Sequence, residues 1–248
     1  MITQIANHRS IRSFESRKIE ADVLRTTLEA AVRASTCGNM QNYTFIVSQD
    51  ERQLEELSPC HFGQVERMNA PCVVTVCADV ARFSQWCRQR NAEPQYDNFV
   101  WFMNGTIDAM MAAQNLVLEA EAQGLGICVL GTTLYTAERI IDILKLPKGV
   151  IPITAIAMGY AAEQPELTDR LPLEAVVHFE HYTPNTPEFI DSMWSEKEQL
   201  PQTLQLVAEN GTDNLAQVFT QRRYVKADNL TFSRSYFDLL KSQGFFNQ

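Results

Sequence analysis

The chain has 248 residues, of which 45% are hydrophobic, and its 30 acidic and 21 basic side chains give a formal net charge of -9 at pH 7. This length and composition predict a globular protein with a sizeable core, whereas the negative charge disfavours binding to nucleic acid or anionic lipid. An anionic ligand would therefore need a local cluster of positive charge.

Such a cluster lies near the N-terminus, in the stretch "HRSIR". It contains His8, Arg9, Ser10 and Arg12. Two guanidinium groups, a hydroxyl and an imidazole N–H suit the several oxygens of a phosphate monoester better than a single carboxylate does. The alternative interpretation is a solvated basic turn, because short basic stretches are common.

A polar connection follows the first predicted helix, an amphipathic segment at 20–34 with apolar residues at helical spacing. The hydrogen-bonding side chains of the connection, within residues 34–45, are Ser35, Thr36, Asn39 and Gln41. They could bind along a sugar-like chain or the edge of a heterocycle. Equally, the stretch is explained as a polar loop in which Gly38 ends the helix.

Three runs rich in β-branched residues, at 43–49, 71–79 and 151–160, predict buried strands. Residues 102–123 predict a long helix that ends at Gly124. Because this helix is apolar on more than one face, we expect it to be buried all round. Residues 132–149 predict a capped amphipathic helix that Pro147 stops. This order of elements favours an α/β or α+β domain that ends near Tyr182.

Two further features of this region are weaker signals. The stretch "GLGICVLG" at 124–131 is not a dinucleotide-binding fingerprint. Its Gly124 and Gly126 could nevertheless let backbone N–H groups approach a flat ligand closely. Gln64 stands just before the second predicted strand, where an isolated glutamine is usually a surface residue.

The stretch after Tyr182 is richer in proline and polar residues and predicts an extension laid over a finished core. Thr186 followed by Pro187 predicts the start of a helix. Ser235 and Asp238 predict the start of a last helix, which Gly244 closes.

The usual catalytic motifs are absent from the sequence, which has no nucleophile elbow, H-E-x-x-H motif or P-loop, and no C-x-x-C pair among its six cysteines. His178 and His181 have no accompanying ligand pattern, so a metal site is the weaker interpretation. No segment is apolar enough to cross a bilayer and no secretory segment begins the chain, so we expect a cytoplasmic protein. An enzyme of this kind would need a cofactor to carry its chemistry.

Four segments, in this order and spacing, resemble the flavin-dependent nitroreductase and NAD(P)H:flavin oxidoreductase family. They are "HRSIRSF", the connection that contains Asn39 and Gln41, "GQVERMNAPCVVTVCAD", and residues 124–182. The stretch "DNLTFSRSYFDLLKSQGFF" is further similar to the longer subgroup, in which an extension reaches across the partner subunit. The resemblance implies an α+β nitroreductase-like fold, with a central, mostly antiparallel mixed sheet flanked by helices. It also implies an FMN-binding domain at 1–182, an extension at 183–248, and a homodimer with FMN at its interface.

The resemblance also implies a set of cofactor-binding residues. The phosphate and one edge of FMN would be held by His8, Arg9, Ser10 and Arg12, joined by Arg170. The ribityl chain and the ring would face Ser35, Thr36, Asn39 and Gln41. Gln64 would lie near the reactive N5 edge, and the backbone of Leu125, Gly126 and Ile127 would contact the other side of the ring. No catalytic side chain and no metal are expected, because N5 of the flavin carries the chemistry.

The activity that the resemblance implies is the reduction of nitroaromatics, quinones or flavins by NAD(P)H in a ping-pong cycle. One departure is Thr168, where the longer subgroup often has a lysine, which leaves the phosphate with one partner fewer. Candidates for the 2′-phosphate of NADPH are Arg222, Arg223 and Lys226, although a solvated basic patch explains them as well.

Other functions stay open at this point. They are a reductase for a non-nitro acceptor and an FMN-binding storage or sensor protein with little turnover. A phosphoprotein-binding or nucleic-acid-binding module is disfavoured by the acidic charge.

Overall fold

The structure is a computed structural model that describes residues 1–247, and the chain divides into two compact units. The first unit comprises Met1–Leu167 together with the stretch that begins at Arg234, and the second unit is Thr168–Ser233. These boundaries differ from the predicted division between residues 182 and 183. The wrapping of the extension around a partner subunit stays a prediction.

One antiparallel sheet lies at the centre of the first unit, with the strand order β1-β2-β4-β3. The strands are β1 (Tyr43–Ser48), β2 (Cys72–Asp79), β3 (Gly126–Leu130) and β4 (Val150–Gly159). Every residue of β2 and β4 is buried, which fits their continuous apolar sequences. The prediction of an α+β fold is confirmed. Strand β3 was missed, because its sequence is the glycine-bounded stretch at 124–131.

Seven α-helices lie within Met1–Leu167, the longer segment of the first unit. They are α1 (Thr3–Ala6), α2 (Ala21–Ala31), α3 (Glu51–Leu57), α4 (Gln64–Arg67), α5 (Ala81–Arg88), α6 (Phe99–Ala122) and α7 (Ala137–Leu144). Short 3-10 turns lie at Cys37–Asn39, Ser58–His61 and Gly131–Tyr135. Helix α7 ends at Leu144, and its C-cap Lys145 has a left-handed φ of 54°, so the helix stops before it reaches Pro147, the residue predicted to stop it. Thr136 precedes this helix at the N-cap position, but its hydroxyl makes no capping hydrogen bond and donates to the Cys60 carbonyl at 2.6 Å.

Helix α6 is the longest element, with 24 residues. Asn98 caps its start by accepting a hydrogen bond from the Trp101 backbone N–H at 3.2 Å, and Gly124 follows its end at a φ of 82°. One face packs in the core, but an outer stripe at helical spacing is exposed. The stripe consists of Val100, Met103, Ile107, Met110 and Met111. The expectation of burial on all sides is therefore wrong for a single chain.

The second unit is helical. Its helices are α8 (Pro187–Gln199), α9 (Pro201–Asn210), α10 (Leu215–Val218) and the first part of α11 (Lys226–Ser242). The helix start at Thr186 is confirmed, since its hydroxyl accepts a hydrogen bond from the Phe189 N–H at 3.2 Å. The predicted start of the last helix at Ser235 is wrong, because α11 begins nine residues earlier.

The end of α11 and the residues after it belong to the first unit. Leu239, Leu240 and Phe245 are buried in one hydrophobic cluster with Phe102 of α6 and Ile151 of β4. This returning stretch therefore completes the core of the first unit.

Candidate functional site

The N-terminal motif is fixed against strand β3 by its backbone. The Ile11 N–H donates to the Ile127 carbonyl at 2.8 Å, and Ser10 forms a parallel bridge with Ile127. A Cβ at Gly126 would lie 2.6 Å from Cγ1 of Ile11, so only glycine allows this close approach. The structure thus brings together residues 8–12 and 125–127, as the prediction of a shared site requires.

A cavity of about 720 Å³ opens beside this junction, within the size range of small-ligand sites. Its wall includes Asn7, Arg9, Glu121, Leu125, Gly126 and Glu163. Two polar atoms of this wall, Nε of Arg9 and Oε2 of Glu121, are buried and have no hydrogen-bond partner among the residues that the structure describes. Buried polar atoms are normally satisfied by protein, water or ligand. The wall therefore offers one donor and one acceptor to a bound molecule.

His8 is tied to the C-terminal end of α6. Its Nδ1 lies 2.7 Å from Oε1 of Glu121. Burial raises the pKa of Glu121, and the contact with His8 lowers it in part. This pairing leaves Nε2 as the ring nitrogen of His8 that can face a ligand. Glu121 was not predicted as a site residue: a carboxylate in the last turn of a helix opposes the helix dipole and is unusual, but that position does not identify a partner.

Arg12 lies at the rim of the motif. Its Nη1 donates to the Ser10 carbonyl at 3.4 Å, and its backbone N–H donates to the Glu163 carboxylate. Glu163 was also missed, and nothing in the sequence around it distinguishes it from a surface residue. These contacts fix the main chain at Arg12.

The polar connection is held by a different part of α6. Oδ1 of Asp108 accepts from the Cys37 backbone N–H at 2.9 Å, and its Oδ2 accepts from the Asn42 backbone N–H at 3.2 Å. Between these two contacts, the φ angles of Gly38, Asn39 and Gln41 are 56°, 55° and 55°. The connection is therefore a tight turn that contains three left-handed residues and is held at both ends by one carboxylate.

The two predicted halves of the site lie apart within one chain. Asp108 and Glu121 are thirteen positions apart on α6, which corresponds to about 20 Å along the helix axis. Of the predicted residues, the cavity is lined by Arg9, Leu125 and Gly126. The hydrogen-bonding residues of the connection, Ser35, Thr36, Asn39 and Gln41, are not in its wall, although the Thr36 hydroxyl is buried without a partner in the described part of the chain.

Gln64 begins the short helix α4, directly after a turn built around His61. Gly63 has a φ of 74°, which allows the chain to reverse before the helix. The His61 side chain is fully buried, and its Nδ1 lies 3.0 Å from the Thr132 hydroxyl. Burial lowers the pKa of His61 to about 4. The neutral imidazole therefore joins this turn to the 3-10 segment after β3.

The remaining predicted residues all belong to the second unit. They are Arg170, His178, His181, Arg222, Arg223 and Lys226. Nη1 of Arg170 donates to the Thr168 hydroxyl at 2.6 Å and to the Asp169 carbonyl at 2.8 Å. Nδ1 of His178 accepts from the Thr183 backbone N–H at 3.3 Å. Nε of Arg222 donates to the Asn210 carbonyl at 3.2 Å. A role of Arg170 toward a phosphate stays a prediction.

Within residues 1–247, none of the helices combines the length and the apolar character that crossing a membrane requires.

Comparison with known proteins identifies the family that the sequence resemblance indicated, over most of the chain. A model of the "Nitroreductase family" matches residues 5–160. The chain is 34% identical to "FMN reductase (NADPH)" of Bacillus subtilis over 194 residues, 77% of this chain and 78% of that protein. It is 33% identical to "Oxygen-insensitive NADPH nitroreductase" of Salmonella typhimurium over 184 residues, 74% of this chain and 75% of that protein. A crystal structure of a Bacteroides fragilis protein superposes with a TM-score of 0.97 at 43% identity, covering 99% of this chain and 100% of that one.

Proposed function

Because the chain belongs to the nitroreductase family, we propose that it is an FMN-dependent oxidoreductase that takes electrons from NAD(P)H and delivers them to a small-molecule acceptor. The names of its relatives, an NADPH-dependent FMN reductase and an NADPH nitroreductase, support both the cofactor and the electron donor. The structural observation that carries the proposal is the cavity at the junction of the N-terminal motif and β3.

The residues at this junction fit the chemistry of a flavin mononucleotide. Nε of Arg9 is a buried donor without a protein partner in the described residues, as expected of a group that binds an anion or a carbonyl oxygen. Gly126 and Leu125 line the cavity, and the missing Cβ of Gly126 lets Ile11, another residue of the wall, pack directly on strand β3. His8, Ser10 and Arg12 add further donors beside the cavity and match the oxygens of a phosphate.

The chemistry that FMN supplies when bound is hydride transfer from NAD(P)H and electron transfer to an acceptor, in a ping-pong cycle through one site. The side chains of this protein bind and orient the cofactor. The guanidinium of Arg12 would offset negative charge on the bound flavin, and Gln64 would lie near its reactive edge. Since protons can come from water, no side chain acts as an acid.

The site is built by a homodimer. The exposed apolar stripe of α6 is the kind of surface that a second copy buries. The spacing along α6 supports the same arrangement. The N-terminal motif and the polar connection contact α6 at points about 20 Å apart. A twofold dimer accounts for this distance if each site takes the motif from one chain and the connection from the other. Gel filtration with light scattering tests it, and a monomer that holds a full complement of FMN would contradict it.

The acceptors are nitroaromatics, quinones or free flavin, and the protein acts in the cytoplasm.

An absorbance spectrum of the purified protein, followed by anaerobic addition of NADPH and then NADH, tests the proposal first. We expect visible flavin bands that bleach within seconds, and the faster donor identifies the coenzyme preference. Steady-state rates with the three acceptor classes then rank the substrates. A protein that binds FMN but bleaches only over minutes would be a storage or sensor protein, and one that cannot bind FMN would contradict the proposal.

A further inference from the structure

We propose that Asp108 is a positioning residue, which sets the shape of the connection at residues 37–42 for its part in the cofactor site. This inference rests on the proposed function for the identity of the ligand. The contacts of Asp108 with the connection are independent of that function. Asp108 is a carboxylic acid only 2% exposed, in the middle of the apolar face of α6. A buried acid of this kind needs specific partners to offset its desolvation.

The partners of Asp108 all come from the connection. One oxygen accepts from the Cys37 backbone N–H at 2.9 Å, and the other accepts from Asn42, at 3.2 Å from its backbone N–H and 3.4 Å from its side-chain amide. These partners are 71 and 66 positions away in sequence. Both oxygens of the carboxylate are therefore hydrogen-bonded to the main chain of the connection, one at each end of it.

The turn between these two points contains two non-glycine residues in an uncommon backbone conformation. Asn39 and Gln41 have left-handed φ angles, which asparagine takes more readily than most residues and glutamine rarely takes. Such conformations persist where the surrounding structure determines them, and they cluster at ligand sites. Both residues are in the proposed cofactor set. The direction of their side chains thus depends on a clamp that touches neither of them.

Other contacts support the turn from its far side. The Arg82 guanidinium donates to the carbonyls of Gln41 and Tyr43, the second at 3.2 Å, and the Asp79 N–H donates to the Asn42 carbonyl at 3.0 Å. We therefore expect loss of the clamp to loosen the connection without unfolding the protein.

Asp108→Asn tests the clamp with an almost unchanged shape. An amide has one acceptor oxygen and one NH2 group, so one of the two backbone donors would face another donor. Glu119→Gln is the matched control, because it also converts an acid to its amide on the same helix, at a side chain that accepts a hydrogen bond from the nearby Gln123 amide at 2.7 Å and does not contact the connection. The full chain is used for both variants.

Two measurements are made on each variant. Hydrogen exchange of the cofactor-free protein compares a peptide covering 36–42 with one covering 8–14, and flavin fluorescence measures FMN affinity. In Asp108→Asn we expect exchange at 36–42 to rise by about tenfold, exchange at 8–14 to stay unchanged, and FMN to bind about tenfold more weakly. Glu119→Gln should match the wild type in every respect.

If Asp108→Asn does not fold, Cys37→Pro removes one of the clamped N–H groups instead. Cys37 opens a 3-10 turn after an extended Thr36, a position that proline tolerates, and Cys37→Ala is its control. Wild-type exchange at 36–42 in the proline variant, or in Asp108→Asn, would overturn the clamp. Unchanged FMN affinity with faster exchange would overturn its part in the cofactor site. A wild-type protein that does not bind FMN would instead overturn the proposed function, and exchange would still decide the clamp.

Discussion

The N-terminal motif and the polar connection are the two halves of one proposed site, yet the chain fixes them in different ways. The motif is joined to β3 by main-chain hydrogen bonds and by close packing on Gly126. The connection is held by the side chain of Asp108, and the turn before Gln64 by the side chain of His61. Main-chain contacts survive most substitutions and do not titrate, whereas a side-chain anchor can be lost in one mutation or with one proton.

The largest effect should come from protonating a side-chain anchor. The pKa of His61 is lowered by burial from 6.5 to about 4, so the unfolded chain binds the proton more readily. Stability is therefore retained above pH 6.5 and lost as the pH falls through 4, by about 3 kcal/mol in total. Urea unfolding between pH 7 and pH 4 measures this, and His61→Gln should lack that part of the slope. The exposed His181 gives the control, since His181→Gln should keep the wild-type slope.

The second prediction breaks the half that the main chain holds. Gly126→Ala places a methyl group 2.6 Å from Cγ1 of Ile11, and such overpacking costs about 2 kcal/mol of unfolding free energy. In a background that carries Ile11→Ala, Gly126→Ala should cost less unfolding free energy than it does in the wild type, because the side chain that it presses on is shorter. A double-mutant cycle measures this difference. Gly131→Ala, which meets nothing within 4 Å, should be close to neutral. Additive costs at positions 11 and 126 would show that the two residues do not press on each other.

A smaller effect is expected where a side chain of the motif meets the cofactor. Arg12→Ala should weaken FMN binding by about 1.5 kcal/mol, or roughly tenfold, as expected for the loss of one charge-assisted contact. Fluorescence titration measures the affinity. Arg25→Ala removes an exposed arginine whose contact is Glu29 on its own helix, and should leave FMN affinity unchanged. Equal affinity in Arg12→Ala and the wild type would remove Arg12 from the proposed set.

The smallest effect concerns the pair between the motif and α6. Burial raises the pKa of Glu121 above its ordinary value of 4.5. Its contribution to stability is therefore full below pH 4.5 and is lost as the pH rises through the folded pKa. Glu121→Gln lacks this loss, so its stability relative to the wild type should rise between pH 4 and pH 7. Thermal unfolding at each pH measures it, and a relative stability that fell over this range would contradict the sign.

The sequence alone predicted the elements that have a local signature. Strands β1, β2 and β4 have β-branched runs, and α6 has a long apolar pattern ended by Gly124. Strand β3 lacks such a run between its glycines, and the first turns of α11, in "KADNLTFSR", have too few apolar residues for a helical stripe. Asp108 and Glu121 were missed for a different reason. Their partners are 66 to 113 positions away, and no local pattern records a contact over that distance.

The return of α11 to the first unit has a consequence for biosynthesis. Phe245 is fully buried among residues such as Phe102 and Ile151, but it is translated only after the entire second unit. The first unit is thus interrupted, and its core cannot close while the ribosome is still making Thr168–Ser233. Domains generally fold as units, N-terminal part first, at synthesis rates of about 5–20 residues per second. For some seconds during synthesis, part of the apolar surface of the sheet therefore stays exposed. Chaperones that bind exposed apolar surface would act mainly in this period.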